Sequence, residues 1–245
     1  MTGSAPSSRP TVALVHGAFA DSSGWNGVVG QLQAAGLAVQ AISNPLRGIT
    51  ADTAYVASAI RQIPGPVLAV GHSYGGAVIT NAAPRAGNVV GLVYVAAFAP
   101  DEGETLSDVE NDSKDSVLNA ALIQLRYPAG PGTGTATEFA IDPAKFHDAF
   151  AADLSVTEAA VMAATQRPVA AAAFAEPNGT PGWKNLPCWA VVATGDKAAG
   201  SDVVRSMAQR AGAAITEVEG SHVIMMSQPE AVTDVIRQAI DGVTR

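Results

Sequence analysis

Short runs of β-branched and other apolar residues alternate along this chain with segments of helical period. The runs that predict strands cover residues 11–15, 37–42, 67–70, 89–97, 188–194 and 214–218. Apolar residues recur every three or four positions between Trp25 and Leu32, where Ser22 or Ser23 is expected to cap a helix. Further helices are predicted around residues 56–63, 74–83, 203–211 and 232–243. Such alternation indicates an α/β fold, a mostly parallel sheet with helices on both faces.

Residues 100–183 break this pattern. Strand signals are absent there, a Pro- and Gly-rich loop is predicted at residues 128–132, and Asp142 before Pro143 is typical of a helix start. The Ser155-to-Glu158 spacing matches a capping box. We expect this mainly helical insertion to form a lid over the carboxyl edge of the sheet, where open α/β sheets bind ligands. The predicted organisation is a flexible tail at residues 1–10, a core of residues 11–99 and 184–245, and a lid of residues 100–183.

The composition excludes several classes of protein. The chain has 22 acidic and 14 basic residues and a net charge of -8, which is unfavourable for binding nucleic acid or an anionic membrane surface. Its one cysteine, Cys188, allows neither an intramolecular disulfide nor a zinc site built from cysteines. No signal peptide or apolar run of membrane-spanning length is apparent. We expect a cytoplasmic protein without a metal, and the sequence leaves open whether it forms a homodimer.

The clearest chemical signal is Gly71-His72-Ser73-Tyr74-Gly75, which matches G-x-S-x-G between a predicted strand and a predicted helix. Small residues allow a sharp turn that lifts the serine hydroxyl above the sheet edge. The N-terminus of the following helix stabilises negative charge that develops there. A glycine-rich turn with an incidental serine is the alternative, but the flanking elements favour catalysis. Ser73 is therefore the predicted nucleophile.

A serine hydroxyl needs a general base, which near neutral pH is histidine. Of the four histidines, His222 follows the last predicted strand, so its loop can reach the turn at Ser73. His147 lies in the insertion, His72 is directed away from the nucleophile by the turn, and His16 ends the first strand. His222 is the predicted base.

The base must be oriented by a carboxylate that also stabilises its cation. Asp196 follows the strand that precedes His222, and the order Ser, Asp, His is the one expected for this arrangement. Asp101 and Glu102, after the strand at residues 89–97, are the rivals, but we interpret them as solvated residues at the entrance to the insertion. Asp196 is the predicted acid.

Two backbone N–H groups are expected to bind the oxyanion of an acyl-transfer reaction. One belongs to Tyr74, directly after the nucleophile, and the other to Ala18 in the loop after the first strand, with Phe19 as the second choice. Each such donor stabilises a transition state by about 2.7–4 kcal/mol. The predicted reaction is cleavage of a small ester, lactone or thioester. Four phenylalanines of the insertion are candidates for the acyl pocket, and the sequence does not choose among Phe139, Phe146, Phe150 and Phe174.

At these motifs the chain resembles the α/β-hydrolase superfamily, and within it the compact branch of esterases and hydroxynitrile lyases. The resemblance lies in residues 14–19, 71–76, 96–100 and 220–230, which cover most of the sheet framework. It implies the same triad and a small-molecule acyl substrate with no cofactor. Val223 and Gly17 stand where plant hydroxynitrile lyases have lysine and threonine, which argues against cyanohydrin cleavage. The residues after the acid, 197–200, also differ from the hydrophobic-proline stretch that is common in relatives.

Two other interpretations remain at this point. A serine-based lyase or perhydrolase would use the same residues and differ only in its products. A ligand-binding protein with the hydrolase fold would bind a small molecule without turnover, but such a protein has no need for Ser73, Asp196 and His222 together.

Overall fold

The fold is built on a six-stranded parallel sheet in the computed structural model, which describes residues 9–130, 132 and 134–244. The strands are β1 (Thr11–Val15), β2 (Val39–Ile42), β3 (Val67–His72), β4 (Val89–Val95), β5 (Leu122–Pro128), β6 (Thr135–Ile141), β7 (Val169–Ala170), β8 (Cys188–Ala193) and β9 (Ala214–Val218). The large sheet has the order β2-β1-β3-β4-β8-β9, and all of its pairs are parallel. The carboxyl ends of these strands therefore meet at one edge.

Helices connect the strands and cover the sheet. They are α1 (Asn26–Ala34), α2 (Ile49–Arg61), α3 (Tyr74–Ala86), α4 (Leu106–Asn111), α5 (Leu118–Ala121), α6 (Pro143–Phe150), α7 (Val156–Thr165), α8 (Ala172–Ala175), α9 (Ser201–Arg210), α10 (Ile224–Ser227) and α11 (Pro229–Thr244). Short 3-10 turns lie at Ser22–Trp25 and Gly182–Lys184. The predicted α/β fold with a mostly parallel sheet is confirmed.

The centre of the sheet is the most deeply buried part of the molecule. Every residue of β3 is buried, and its apolar side chains from Val67 to Val70 have no exposed surface. A strand that is covered on both faces reads as a continuous apolar run rather than an alternating one. That is the reason why the sequence pattern located β3 and the turn that follows it.

The start of the first helical segment differs from the prediction. Asp21, and neither Ser22 nor Ser23, occupies the N-cap position, and its side chain accepts a hydrogen bond from the Ser23 backbone N–H at 2.8 Å. A carboxylate oxygen at this position binds a free N–H of the first turn as well as a serine hydroxyl does. The predicted apolar face is present, with Trp25, Val28 and Leu32 buried.

The segment between β4 and β8 contains helices α4 to α8 and also a three-stranded antiparallel sheet of order β5-β6-β7. The expectation of a segment without strands is therefore wrong. Most of β5 is exposed, so it lacks the alternation of buried and exposed residues that reveals a strand in a sequence. The predicted loop at residues 128–132, of which residue 131 lies outside the described residues, follows β5.

Two predicted helix starts in this segment are confirmed. The Asp142 side chain accepts a hydrogen bond from the Ala144 backbone N–H at the start of α6. Ser155 and Glu158 form a reciprocal capping box at the start of α7. Most of the predicted N-terminal tail, residues 1–8, lies outside the described residues. None of the helices in the described ranges is long and apolar enough to cross a bilayer.

Candidate active site

Ser73 lies at a sharp turn between β3 and α3. Its backbone has φ 53° and ψ −126°, a conformation that is rare for a residue with a side chain and that is found at functional turns. A Cβ atom on Gly71 would lie 2.6 Å from the carbonyl oxygen of Gly75, and one on Gly75 would lie 2.8 Å from the carbonyl oxygen of His16. Because backbone atoms cannot move aside cheaply, these two positions require glycine.

The backbone of Ser73 is bonded on both sides of the turn. Its N–H donates to the carbonyl oxygen of Val95 at 3.3 Å, and its own carbonyl oxygen accepts from Gly76 at 2.9 Å and from Phe98 at 3.2 Å. Neighbouring strand β4 and the loop after it thus support the strained conformation. The side chain is 6% exposed.

Asp196 and His222 form a buried pair at the same edge of the sheet. The Nδ1–H of His222 donates to Oδ2 of Asp196 at 2.8 Å, and each side chain is 1% exposed. The other carboxylate oxygen accepts from the backbone N–H groups of Ala198 and Ala199 at 2.9 and 3.0 Å. In a neutral imidazole with its proton on Nδ1, Nε2 carries the lone pair that a general base requires.

The other three histidines bind backbone groups. His72 donates from Nε2 to the carbonyl oxygen of His222 at 2.9 Å, so it supports the predicted base, and burial holds its pKa well below the usual value. His16 accepts at Nε2 from the Asn44 N–H at 2.9 Å, and burial lowers its pKa to about 4. His147 lies in α6, with Nε2 3.0 Å from the Leu154 carbonyl oxygen. His16 and His72 are therefore neutral near pH 7.

The rival carboxylates lie at the surface. Asp101 forms an ion pair with Lys184 at 2.6 Å, and the hydrogen bond from that lysine holds the pKa of Asp101 below its usual value. Glu102 accepts a hydrogen bond from the Thr180 hydroxyl at 3.2 Å. Both contacts agree with their interpretation as solvated residues at the start of the insertion.

The loop after β1 passes directly against the nucleophile. A Cβ atom on Gly17 would lie 2.6 Å from Cβ of Ser73 and 2.9 Å from the carbonyl oxygen of His72. Ala18 and Phe19 follow and are 3% and 2% exposed, and Phe19 has a φ of 59°. On the other side of Ser73, Tyr74 is the first residue of α3, where backbone N–H groups have no partner within the helix.

The Tyr74 side chain makes a contact that the sequence analysis missed. Its hydroxyl donates to Oδ2 of Asp52 at 2.8 Å, and the same carboxylate accepts from the Arg47 and Gly48 backbone N–H groups. Burial raises the pKa of both Asp52 and Tyr74. This network fixes the first turn of α3 to α2, and no local motif signals a bond between residues 22 positions apart.

Glu110 on α4 is a second residue that was missed. It is 5% exposed, and burial, followed by the charge of Asp196, raises its pKa to about 8. Near pH 7 the side chain is therefore mostly protonated. A neutral acid adds little negative charge to the surroundings of the Asp196–His222 pair.

Aromatic rings of the insertion cover the imidazole. The Phe150 ring lies 4.9 Å from the His222 ring and 6.2 Å from that of Phe19. Phe174 stacks on Phe19 at 6.4 Å, and Phe139 contacts Phe174 at 6.3 Å. Of the insertion rings, Phe150 contacts His222 and Phe174 contacts Phe19, and which of them line an acyl pocket stays a prediction.

Two further features complete this side of the site. Phe146 lies behind Phe150, with 5.1 Å between the ring centroids. A cavity of about 30 Å³ beside Phe19 is lined in part by Met162, Met225 and Met226. That cavity also has polar lining residues, among them Asp21 and Gln166.

Comparison with known structures supports the fold. Structures with the same fold include polyneuridine aldehyde esterase (18% identity, TM-score 0.78, 97% of this chain and 100% of that chain). A pyrethroid hydrolase from Sphingobium faniae JZ-2 has 22% identity and a TM-score of 0.75 over 95% of this chain and 97% of that chain. Tomato methylketone synthase I in complex with 2-tridecanone has 18% identity and a TM-score of 0.74 over 96% of this chain and 99% of that chain.

None of the curated proteins compared with the chain matches it. The sequence profile of the alpha/beta hydrolase family, however, matches residues 12–235, which include all of the large sheet except Thr11 and all of the candidate site. The resemblance expected from the sequence motifs is confirmed, and the chain belongs to the alpha/beta hydrolase family.

Proposed function

We propose that this protein is a serine hydrolase that cleaves small carboxylic esters, or related lactones and thioesters, through an acyl-enzyme. The observation that carries the proposal is the buried His222–Asp196 hydrogen bond at the sheet edge where Ser73 is held in a strained turn. A structural ion pair would have no need for a serine held in a strained turn at the same edge of the sheet.

The first half of the reaction forms the acyl-enzyme. Oγ of Ser73 attacks the acyl carbon while Nε2 of His222 takes its proton, and Asp196 stabilises the resulting imidazolium. The backbone N–H groups of Ala18 and Tyr74 hold the oxyanion. The tetrahedral intermediate then expels the alcohol, which receives the proton from His222.

The second half regenerates the enzyme. Water attacks the acyl carbon and gives its proton to His222, and collapse of the second intermediate releases the carboxylic acid and returns the proton to Ser73. The same groups thus serve both steps, and the chemistry draws on no cofactor.

The apolar surroundings favour an apolar acyl or alcohol group. Phe150, Phe174 and Phe19 form a continuous aromatic surface next to His222, and in this proposal residues 100–183 act as the lid. The names of two proteins that share the fold, an esterase and a pyrethroid hydrolase, agree with an ester substrate.

The test is Ser73→Ala, assayed with p-nitrophenyl esters of graded acyl length. Loss of the nucleophile is expected to lower kcat by about a thousandfold or more while the circular dichroism spectrum is unchanged. Ser58→Ala, at an exposed position on α2, is the control and should retain full activity.

A fluorophosphonate probe supplies a second readout. The wild type and Ser58→Ala should be labelled, and Ser73→Ala should not. A variant without the Ser73 hydroxyl that keeps more than a tenth of the wild-type turnover would contradict the proposal. A wild type that binds esters but is neither labelled nor active would favour the ligand-binding alternative.

A further inference from the structure

The loop that carries His222 is fixed at two points by the core. The Gly195 N–H donates to the carbonyl oxygen of Gly220 at 3.0 Å, which joins this loop to the one that carries Asp196. The His72 side chain donates to the carbonyl oxygen of His222 itself. These two bonds hold the residues before and at the imidazole, but they leave the Ser221 backbone between them without support from the sheet.

A third anchor comes from the insertion. The Ser221 backbone N–H donates to Oδ2 of Asp153 at 2.8 Å, and the Ser221 hydroxyl donates to Oδ1 of the same carboxylate in a very short hydrogen bond. Burial alone would raise the pKa of Asp153, but the hydrogen bonds from Ser221, together with the nearby Ser227 hydroxyl, outweigh it and hold the pKa below the usual value. The group is therefore an ionised acceptor, whose hydrogen bonds are roughly twice as strong as neutral ones.

Gly220 makes this contact sterically feasible. A Cβ atom at this position would lie 2.7 Å from Oδ2 of Asp153 and would also overlap the Ile224 side chain. Only glycine lets the carboxylate approach the loop this closely. The local backbone is thus shaped to receive Asp153.

The segment that supplies Asp153 also touches the imidazole. Helix α6 ends at Phe150, whose ring lies against the His222 ring, and Asp153 follows three residues later. The turn between them is closed by a hydrogen bond from the Leu154 N–H to the Ala151 carbonyl oxygen at 3.0 Å. One short stretch of the insertion therefore contacts both the ring of His222 and the residue before it.

We propose that Asp153 is a positioning residue that fixes His222 for proton transfer with Ser73, so that docking of the insertion completes the catalytic geometry. The inference rests on the proposed function. It predicts that loss of the carboxylate acts on kcat rather than on KM, because Asp153 contacts the histidine loop and not the aromatic surface beside it.

The experiment compares four variants in p-nitrophenyl acetate hydrolysis. Asp153→Ala is expected to lower kcat by about tenfold to a hundredfold with KM within threefold, since misplacement of a catalytic group by about 1 Å costs up to that much. Asp153→Asn should lower kcat by less, because the amide oxygen of asparagine can still accept one of the two hydrogen bonds from Ser221. Ser221→Ala should lower kcat least. The double variant Asp153→Ala/Ser221→Ala should have the kcat of Asp153→Ala, because both changes break the same contact.

Glu176→Gln is the matched control. Glu176 is another carboxylate of the insertion that accepts a hydrogen bond from a core backbone N–H, that of Thr50 at 2.8 Å. Its substitution should leave kcat within twofold of the wild type. Equal losses in Glu176→Gln and Asp153→Asn would overturn the proposal and show that only general docking of the insertion matters.

Further results would overturn the positioning role of Asp153. A kcat within twofold of the wild type in folded Asp153→Ala overturns the positioning role, and so does a loss confined to KM. If Asp153→Ala does not fold, Asp153→Asn and Ser221→Ala decide by the same criteria. Turnover that needs Ser73 but is indifferent to Asp153 overturns this inference alone, whereas a wild type without Ser73-dependent turnover overturns the proposed function as well.

Discussion

The core and the insertion hold their parts of the candidate site in different ways. In the core, Ser73, Gly17 and Asp196 are fixed by backbone hydrogen bonds and by close approach of main-chain atoms. The insertion is attached by backbone hydrogen bonds at a few points, such as that from the Ala170 N–H to the Leu46 carbonyl oxygen at 3.0 Å. It is also attached by side chains, as in the ion pairs of Glu138 with Arg47 at 2.7 Å and of Glu104 with Arg210 at 2.5 Å.

This difference separates two tasks. The close approach of main-chain atoms at Gly17 and Gly71 tolerates almost no change of residue. In the proposed function the core therefore sets the position of Ser73, and Asp153 of the insertion completes that of His222. Surface ion pairs are individually worth about 0–1 kcal/mol, so the insertion can vary in sequence and still dock. In the proposed function, the Phe150 ring that the insertion places against His222 contributes to the choice of substrate.

The largest effect is expected from Gly17→Ala in the core. The new Cβ atom would lie 2.6 Å from Cβ of Ser73, and the backbone carbonyl of His72 blocks retreat. We expect kcat/KM to fall about a thousandfold, or about 4 kcal/mol of transition-state stabilisation, in steady-state ester hydrolysis.

Gly30→Ala is the control for that change. Gly30 lies in α1, and a Cβ atom there would meet nothing within 4 Å. Activity should be unchanged, and alanine in place of a helical glycine should stabilise the fold by about 0.5–1 kcal/mol. If Gly17→Ala kept wild-type activity, the close approach of Gly17 to Ser73 would not constrain the site.

The next largest effect is expected from Phe150→Ala in the insertion. Loss of a buried phenylalanine side chain costs about 3–5 kcal/mol of unfolding free energy. Because Phe150 also lies on His222, KM for an aromatic ester should rise about tenfold more than KM for the acetate.

Phe146→Ala separates packing from specificity. Phe146 belongs to the same helix and is equally buried, but its ring contact is with Phe150. It should destabilise the fold to a similar degree in denaturant titrations and leave the ratio of KM values near that of the wild type. Parallel changes of that ratio in both variants would mean that the insertion acts only as packing.

The smallest effect concerns Glu110, where the insertion meets the acid of the core. Its pKa is about 8 in the folded protein against 4.5 for an ordinary glutamate, so the folded state keeps a proton that the unfolded state loses. Raising the pH from about 5 to about 8 should therefore lower the free energy of unfolding, by up to about 1.4 kcal/mol per pH unit.

Glu110→Gln should remove this loss and be more stable than the wild type at pH 8 by about 2–4 kcal/mol in urea unfolding. Glu230→Gln, at an exposed position in the first turn of α11, is the control and should keep the wild-type pH dependence. Identical pH profiles for Glu110→Gln and the wild type would show that Glu110 is ionised or solvated in the folded protein.

The sequence predicted the features that depend on neighbours in the chain. Strand β3 was predicted from an apolar run and the turn at Ser73 from the G-x-S-x-G motif. The helix starts at Asp142 and Ser155 were predicted from capping patterns. The pairing of Asp196 with His222 followed from chain order and strand position, and the structure shows their hydrogen bond. Their catalytic roles remain predictions until they are measured.

The features that were missed depend on residues far apart in the chain. Asp153 meets Ser221 across 68 positions, and strand β7 is placed by bonds such as that from the Ala170 N–H to the carbonyl oxygen of Leu46. No periodicity or local motif encodes such a pairing. Strand β5 is exposed on most of its length, so burial left no pattern to detect.

The close contact between Gly17 and Ser73 limits how this protein can change its chemistry. Cysteine has the same unbranched shape as serine, so a thiol fits at residue 73 with the backbone unchanged. Threonine carries a second group on Cβ, which disfavours the φ of 53° and adds bulk beside the tight approach of Gly17. Among hydroxyl and thiol side chains, position 73 therefore admits the primary alcohol and the thiol and disfavours the secondary alcohol.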